Sequence, residues 1–346
     1  MPALAVADAL RAEGAEVSFL GTRERSEAEL VPAAGYEIDF LRVEGIDRKN
    51  PLRAARGLGR AAAALPSARR AIRRRRADVV VGGGGYVAAP AGAAALSLRV
   101  PLVLTEADRH LGLANRGLAR RADRVCLAFE IPGLDGERFL VTGRPVPGAI
   151  LTADRAGARS RFGIGAEDRC LVVFGGSQGA RSINTAVLDA FADARPRDFH
   201  VLLISGARDH ELAAQRLSVV GELERFTLLA YEPGLADALA ASDLVLARSG
   251  ASIFEIAAAG RPSILVPYPH ATGRHQHQNA EWMTAAGAAV TVEDSELSGE
   301  RVGRLVRELL GDPERLAAMS ASARRLARPD AAALVAAEVL ELASGR

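Results

Sequence analysis

Short apolar, often β-branched runs alternate with longer alanine- and leucine-rich amphipathic stretches along almost the whole chain. This alternation predicts an α/β protein whose helices cover the faces of parallel sheets. We predict strands at residues 16–20, 79–81, 102–105, 124–128, 139–141, 170–174, 200–204, 226–230, 244–247, 263–266 and 289–291. The stretches between them are predicted helices, and the last helix covers residues 331–342.

A chain of 346 residues exceeds what one hydrophobic core usually serves, which favours two domains. The segment Gly143-Arg144-Pro145-Val146-Pro147-Gly148 holds two prolines and two glycines, which stop a helix or a central strand. We therefore predict an N-terminal domain of residues 1–147 and a C-terminal domain of residues 148–346. The last helix could pack on either domain.

Composition narrows the class of protein further. With 49% apolar residues and a formal net charge of +2, the chain is globular, and any basic surface must be local. Cys126 and Cys170 lie in apolar runs, so we expect buried thiols in a reducing compartment and no structural zinc site.

Residues 79–98 are uncharged and long enough to span a membrane, but their glycines and Pro90 favour a strand, a turn and a helix.

The chain opens on a helical pattern, although a doubly wound domain usually opens with a strand and a glycine turn. Pro2 suits the first turn of such a helix. We therefore expect a further strand and glycine loop, roughly a dozen residues long, upstream of Met1.

Two glycine loops follow predicted strands, one in each half of the chain. Residues 175–180 read Gly-Gly-Ser-Gln-Gly-Ala, and residues 82–86 read Gly-Gly-Gly-Gly-Tyr. Glycine lets backbone N–H groups approach an anion closely, and the following helix start adds unpaired N–H donors. Ser177 could add a hydroxyl group. Neither loop matches the GxxxxGK[ST] pattern, so we exclude a P-loop.

The segment Arg248-Ser249-Gly250-Ala251 follows another predicted strand, and Ser249 is predicted to cap the next helix. Glu255 lies in that helix between apolar neighbours. Its carboxylate suits two vicinal hydroxyl groups. The nearby segment 267–280 is rich in histidine and glutamine, whose neutral side chains suit sugar hydroxyls, while the histidine spacing does not favour a metal site.

The stretch from Arg48 to Arg76 is basic, with leucine and isoleucine interspersed. One interpretation is a solvated helix face. Six arginines within residues 67–76 favour a surface that binds anionic lipid. Nucleic acid is the competing partner, and we exclude it because no aromatic residues interleave with the arginines.

Five segments and two single residues together resemble one family. They are the segments 2–7, 83–87, 175–180, 248–251 and 255–260, with Gln276 and Asn279. It is the bacterial UDP-N-acetylglucosamine–N-acetylmuramyl-(pentapeptide) pyrophosphoryl-undecaprenol N-acetylglucosaminyltransferases, and the resemblance covers essentially the whole chain. It implies a GT-B fold, two Rossmann-like doubly wound domains facing a cleft. It also implies an inverting, metal-independent transfer of N-acetylglucosamine (GlcNAc) from UDP-GlcNAc to the muramyl 4-hydroxyl of lipid I, which gives lipid II. No cofactor is implied.

The resemblance also implies roles for residues. Glu255 would hold the ribose hydroxyls, Ser177 and loop amides the diphosphate, the Glu232 backbone the uracil, and Gln276 the sugar hydroxyls. The remaining donor-site residues would be Asp108, Gln178, Gly179, Arg248, Ser249, Gly250, Ala251, His275 and Asn279. The loop Gly83, Gly84, Gly85 and Tyr86 would face the acceptor at the cytoplasmic side of the membrane, where the protein would be peripheral.

The sequence leaves the identity of the general base open. The family's candidate histidine would lie in the expected upstream loop, and Glu106 is the remaining carboxylate near the acceptor. Three alternative functions were weighed on the residues, of which two stay open and one is disfavoured. Another GT-B transferase with a different lipid acceptor, and a poorly active nucleotide-sugar binder, stay open. A nicotinamide-dependent oxidoreductase is disfavoured because the required GxGxxG pattern with an acid about 20 residues later is missing.

Overall fold

A computed structural model describes residues 1–43, 51–176, 179–193, 198–220, 224–271 and 274–345, and only the backbone of residues 51–56 and 58. The chain divides into two compact units. Unit 1 comprises Met1–Pro147 and Arg328–Arg346, and unit 2 comprises Gly148–Ala327. The end of the chain, with its last helix, therefore belongs to the same unit as its beginning.

The first part of unit 1 contains α1 (Pro2–Ala12), β1 (Ser18–Gly21), α2 (Glu27–Ala33), β2 (Glu37–Phe40), α3 (Pro51–Arg75), β3 (Val80–Gly82), α4 (Gly85–Leu98), β4 (Leu102–Glu106), α5 (Leu113–Leu118), β5 (Arg124–Leu127) and β6 (Phe139–Val141). All strand pairs among the described residues of this unit are parallel. β1 pairs with β2, and β3, β4, β5 and β6 follow one another in a second sheet. Residues 79–98 form a strand, a glycine turn and a helix, as predicted. None of the described helices is both long and apolar enough to cross a membrane.

Unit 2 contains α6 (Gly148–Thr152), α7 (Arg155–Arg161), β7 (Arg169–Phe174), α8 (Arg181–Phe191), β8 (Phe199–Ile204), α9 (His210–Ser218), β9 (Phe226–Leu229), α10 (Ala236–Ala241), β10 (Leu244–Arg248), α11 (Ile253–Ala258), β11 (Ser263–Val266), α12 (His275–Ala285), β12 (Ala289–Thr291), α13 (Gly299–Leu310) and α14 (Pro313–Leu326). Its described strands form one parallel sheet in the order β9–β8–β7–β10–β11–β12. This is the doubly wound order in which two halves diverge from the central pair.

The strand predictions are confirmed, each to within two residues at either end. The strands of unit 2 can be predicted from the sequence because both faces of their sheet are covered. β8, β10 and β11 are buried along almost their full length, and such strands consist of nearly continuous apolar runs. β2 was not predicted, because its Glu-Ile-Asp-Phe sequence is short and half-buried.

The last helix, α15 (Ala331–Ser344), packs against α1. Val335 and Val339 join Val6 and Leu10 in one apolar cluster that also contains residues of β4 and β5. One of these is Cys126, and both cysteines of the chain are buried and free. Burial raises the pKa of the Cys126 thiol to about 12, and the same holds for Cys170 in β7. Both thiols are therefore protonated and unreactive at neutral pH.

Asp243, directly before β10, binds two arginines at the amino edge of the unit 2 sheet. Its Oδ1 accepts a hydrogen bond from Arg155 Nη2 at 2.6 Å, and its Oδ2 accepts one from Arg159 Nη2 at 2.8 Å. The same Oδ2 accepts the Cys170 N–H at 2.8 Å. The Arg159 side chain is only 5% exposed, and this carboxylate is its counter-charge. Asp243 thus connects α7 to the central strand pair.

Removing this carboxylate should destabilise the protein, since a buried guanidinium would lose its counter-charge. We expect Asp243→Ala to lower the free energy of unfolding by about 3 kcal/mol in urea denaturation. Asp237→Ala is the matched control. The Asp237 side chain is 42% exposed where it pairs with Arg161, so its loss should cost less than about 1 kcal/mol. Equal losses for the two variants would contradict the assignment of Asp243 as the counter-charge of the buried Arg159.

Candidate functional site

The strand order of the unit 2 sheet reverses between β7 and β10. β7 pairs with β8 on one side and with β10 on the other. Connections from these two strands lead to opposite halves of the sheet, which leaves a crevice at their carboxyl ends. Ligands of open α/β sheets bind in such a crevice. Two of the predicted site segments lie there because they end or follow these strands: residues 248–251, and the described residues 175, 176, 179 and 180 of the first glycine loop.

The glycine loop after β7 is shaped by close contacts that only glycine tolerates. A Cβ on Gly175 would lie 2.4 Å from the Ala180 backbone nitrogen. Gly179 has a φ of +74°, and a Cβ there would lie 2.3 Å from the Ser205 carbonyl oxygen. The loop leads to Ala180, the N-cap of α8, which makes no side-chain cap hydrogen bond. The first turn of α8 therefore offers backbone N–H donors to an anion. Ser177 and Gln178 lie outside the described residues.

Arg248, the last residue of β10, holds neighbouring elements together. Its Nη1 lies 2.6 Å from Asp294 Oδ1, and its Nη2 donates to Ser182 Oγ at 2.8 Å. Ser182 in turn donates to the same Asp294 oxygen at 2.7 Å. The Arg248 side chain is 11% exposed. This triangle joins β10 to the first turn of α8 and to the segment after β12, and so fixes the start of α8 at the crevice.

Ser249, Gln276 and Asn279 are brought together by hydrogen bonds between the β10 end and α12. Ser249 Oγ donates to the Gln276 carbonyl at 2.8 Å, and Asn279 Nδ2 donates to the Ser249 carbonyl at 3.0 Å. Gln276 Oε1 accepts the Tyr268 N–H at 2.9 Å. The prediction that Ser249 caps the next helix is wrong. Ser249 is fully buried, α11 begins at Ile253, and the hydroxyl is used by α12 instead.

The other predicted residues of unit 2 lie in the segments that follow β10 and begin α12. Gly250 lies beside Gln276, since a Cβ on it would be 3.8 Å from Gln276 Nε2. Ala251 is exposed, Glu255 is half-buried in α11, and His275 is half-buried as the first residue of α12.

Glu232 lies in the segment that follows β9 and is 7% exposed. Its carboxylate accepts two hydrogen bonds from the Arg161 guanidinium, at 2.7 Å and 2.9 Å. This bidentate pair occupies the side chain. The Glu232 side chain is therefore committed to α7.

In unit 1, the loop Gly83, Gly84, Gly85 and Tyr86 joins β3 to α4. Gly84 and Gly85 have positive φ values of +80° and +72°, which favour glycine. Gly84 is the N-cap of α4 and makes no side-chain cap hydrogen bond. The start of this 14-residue helix is therefore a second group of backbone N–H donors.

Glu106 and Asp108 follow the neighbouring strand β4. Glu106 is its last residue and is 8% exposed. Its Oε1 accepts the backbone N–H of Ala107 at 3.0 Å and of Asp108 at 3.3 Å. Asp108 is half-buried at the start of the loop that leads to α5. Both residues thus lie at the carboxyl edge of the β3–β6 sheet.

Asn115 of α5 also contacts this site, since its Nδ2 donates to Glu106 Oε2 at 2.9 Å. Four residues were not predicted as parts of these sites: Ser182, Asp294, Arg161 and Asn115. A usable signal existed for the first two, because Ser182 lies in the helix turn after a glycine loop and Asp294 follows a strand. Arg161 and Asn115 carry no such signal, since their partners are distant in sequence or lie on another element. Within the described ranges, no group of three or more His, Cys, Asp or Glu side chains could hold a metal ion.

Comparison with known proteins identifies the family. The family model "Glycosyltransferase family 28 N-terminal domain" matches residues 1–127, and "Glycosyltransferase family 28 C-terminal domain" matches residues 170–335. The UDP-N-acetylglucosamine--N-acetylmuramyl-(pentapeptide) pyrophosphoryl-undecaprenol N-acetylglucosamine transferase of Moorella thermoacetica is 41% identical, over 95% of this chain and 92% of that protein. The protein of the same name from Mycobacterium avium is 40% identical, over 99% and 85%.

Solved structures agree on the fold. The crystal structure of Acinetobacter baumannii MurG has a TM-score of 0.74 and 27% identity, over 98% of this chain and 95% of that one. The calicheamicin glycosyltransferase CalG4, at 19% identity, has a TM-score of 0.67 over 100% and 95%. The predicted α/β architecture of the GT-B class is confirmed. The chain therefore belongs to glycosyltransferase family 28 and, within it, to the UDP-N-acetylglucosamine--N-acetylmuramyl-(pentapeptide) pyrophosphoryl-undecaprenol N-acetylglucosamine transferases.

Proposed function

We propose that the chain transfers GlcNAc from UDP-GlcNAc to the muramyl 4-hydroxyl of lipid I and so produces lipid II for peptidoglycan synthesis. The observation that carries this proposal is the match to transferases of that name over almost the full length of both chains. The crevice of unit 2 supports it, since a doubly wound sheet with a glycine loop and an uncapped helix start suits a nucleotide diphosphate.

The donor UDP-GlcNAc binds at the crevice of unit 2. The first turn of α8, with Ser177, holds the diphosphate, and the Glu255 carboxylate accepts the two ribose hydroxyls. The backbone of Glu232 binds the uracil, which is consistent with the commitment of its carboxylate to Arg161. Gln276 binds the sugar hydroxyls. The remaining predicted donor residues contribute contacts or shape: Asp108, Gln178, Gly179, Arg248, Ser249, Gly250, Ala251, His275 and Asn279.

The reaction is a single inverting displacement. The muramyl 4-hydroxyl oxygen attacks C1 of GlcNAc, and the bond between C1 and the phosphate oxygen breaks as the new glycosidic bond forms. UDP leaves with the bonding electron pair, and the hydroxyl proton passes to a base. The N–H groups and the positive dipole end of α8 stabilise the charge that develops on the departing diphosphate without a metal ion.

A transfer assay with labelled UDP-GlcNAc and a lipid I analogue, run in EDTA, tests this function. We expect transfer in EDTA, and we expect Glu255→Ala to raise the KM for UDP-GlcNAc roughly 10- to 100-fold, since hydrogen bonds to a charged group contribute about 1.5–3 kcal/mol. Glu281→Ala is the control, because Glu281 is an exposed carboxylate on α12.

Three outcomes would count against this account. A strict requirement for divalent metal would overturn the helix-based stabilisation of UDP. An unchanged KM in Glu255→Ala would remove Glu255 from the donor site. Binding of UDP-GlcNAc without transfer to any lipid I analogue would point to a different acceptor.

We propose further that the protein is peripheral to the cytoplasmic face of the membrane and that the basic stretch between Arg48 and Arg76 contacts anionic lipid. In its described part, Arg69, Arg70, Arg73 and Arg74 line a surface pocket of about 730 Å³ together with Leu65 and Pro66. Arg74 pairs with Asp39, whereas no ion pair to Arg69, Arg70 or Arg73 is found within the described residues. The pocket therefore combines arginine side chains with apolar surface, which suits a lipid headgroup region.

Neutralising this patch should weaken membrane binding. The triple variant Arg69→Gln, Arg70→Gln, Arg73→Gln should bind phosphatidylglycerol vesicles about 100-fold more weakly in sedimentation, since each basic residue near an anionic surface contributes about 1 kcal/mol. The control changes Arg301, Arg304 and Arg315 to glutamine. These arginines of α13 and α14 each pair with a glutamate, and their side chains are 42%, 67% and 40% exposed. Equal weakening in both triple variants would show that only net charge matters.

A further inference from the structure

The carboxylate of Glu106 binds both ends of the loop formed by residues 107–112. Besides the N–H groups at the start of the loop, it accepts the Gly112 N–H, at the loop's end, on Oε2 at 2.8 Å. Oε2 also accepts a hydrogen bond from Asn115 Nδ2 at 2.9 Å. Gly112 is the N-cap of α5, and Asn115 lies in that helix. One buried side chain thus closes the loop at its base and connects it to the following helix.

Asn115 reinforces this arrangement. It is 1% exposed, and its Nδ2 also donates to the Thr105 carbonyl of β4 at 3.0 Å. It lies next to the glycine loop that precedes α4, since a Cβ on Gly84 would be 4.0 Å from Nδ2. Asn115 therefore lies where the two loops at the carboxyl edge of the sheet meet. A change at Asn115 affects both loops.

These contacts define what Glu106 can do. A carboxylate offers about four lone-pair sites, and the four N–H donors named above occupy them. No acceptor position is left for the proton of a substrate hydroxyl. The proton acceptor of the transfer must then be another group.

We propose that Glu106 and Asn115 form a clamp that positions residues 107–112 for the acceptor, and that Glu106 is a positioning residue instead of the general base. This proposal rests on the proposed function, since the acceptor is the membrane-bound diphosphate-linked sugar. The loop presents cationic and polar side chains. Arg109 is exposed, with its guanidinium 4.5 Å above the Phe129 ring, and His110 is exposed. Such groups suit the phosphates of the acceptor.

Kinetics on Glu106→Gln separate the two roles. In this variant an NH₂ group, which donates, replaces one carboxylate oxygen, which accepts. About half of the hydrogen bonds of the clamp are therefore lost. We expect the KM for the lipid I analogue to rise at least ten-fold and the KM for UDP-GlcNAc to rise less, although Asp108 of this loop is among the proposed donor contacts. The pH dependence of kcat should keep its shape. Asn115→Ala should act in the same direction.

Asp123→Asn is the matched control. Asp123 accepts the Leu102 N–H at 2.8 Å at the opposite, amino end of β4, so its change perturbs the same strand without touching the loop. We expect its acceptor KM to stay within two-fold of the wild type. A rise in acceptor KM equal to that of Glu106→Gln would reduce the clamp to general stability and overturn the proposal. A 1,000-fold fall in kcat in Glu106→Gln, with an unchanged acceptor KM and loss of the acidic limb of the pH profile, would make Glu106 the base.

Hydrogen exchange tests the clamp independently of activity. Amides of residues 107–112 should exchange at least ten-fold faster in Glu106→Gln than in the wild type, and Asp123→Asn should leave them unchanged. Unchanged exchange in Glu106→Gln would overturn the clamp even if transfer to lipid I is observed. Faster exchange in a protein that does not transfer GlcNAc to lipid I would instead support the clamp and reject the proposed function.

Discussion

All described strands of unit 2 run parallel, so every one of them ends at the same edge of the sheet. A parallel sheet needs a crossover after each strand, and crossovers of one hand lead away from the central pair in opposite directions. The crevice at the carboxyl ends of β7 and β10 follows from this constraint together with the reversal of the strand order there. The uncapped start of α8, the Arg248 triangle and the contact between Ser249 and α12 all lie beside that crevice.

The fold could be predicted because its signals are local. Buried parallel strands are continuous apolar runs, and glycines mark the tight turns after them, so neither requires knowledge of distant partners. The site could be predicted only in part. The glycine loops and Gln276 lie in recognisable segments, but the Arg248 triangle joins residues that are distant in sequence, Ser182 and Asp294. Ser249 illustrates the limit, because its hydroxyl found a partner in α12 that no local pattern indicates.

Charged side chains near the carboxyl edges of both sheets are mostly bonded within the protein. Arg248 is paired with Asp294, Glu232 with Arg161, and Glu106 with N–H donors. These bonds hold in place the elements whose backbone N–H groups a ligand at these edges would meet. Such an arrangement needs little reorganisation when charge develops during a reaction.

The buried cysteines give each unit its own internal reporter. Cys126 lies in the β5 strand of unit 1 and Cys170 in the β7 strand of unit 2, and the chain has no other cysteine. Only the thiolate reacts with alkylating reagents, and burial raises the pKa of both thiols to about 12. Alkylation at neutral pH therefore requires the strand to open to solvent. The two alkylation rates measure how often each sheet opens, separately and without any introduced label.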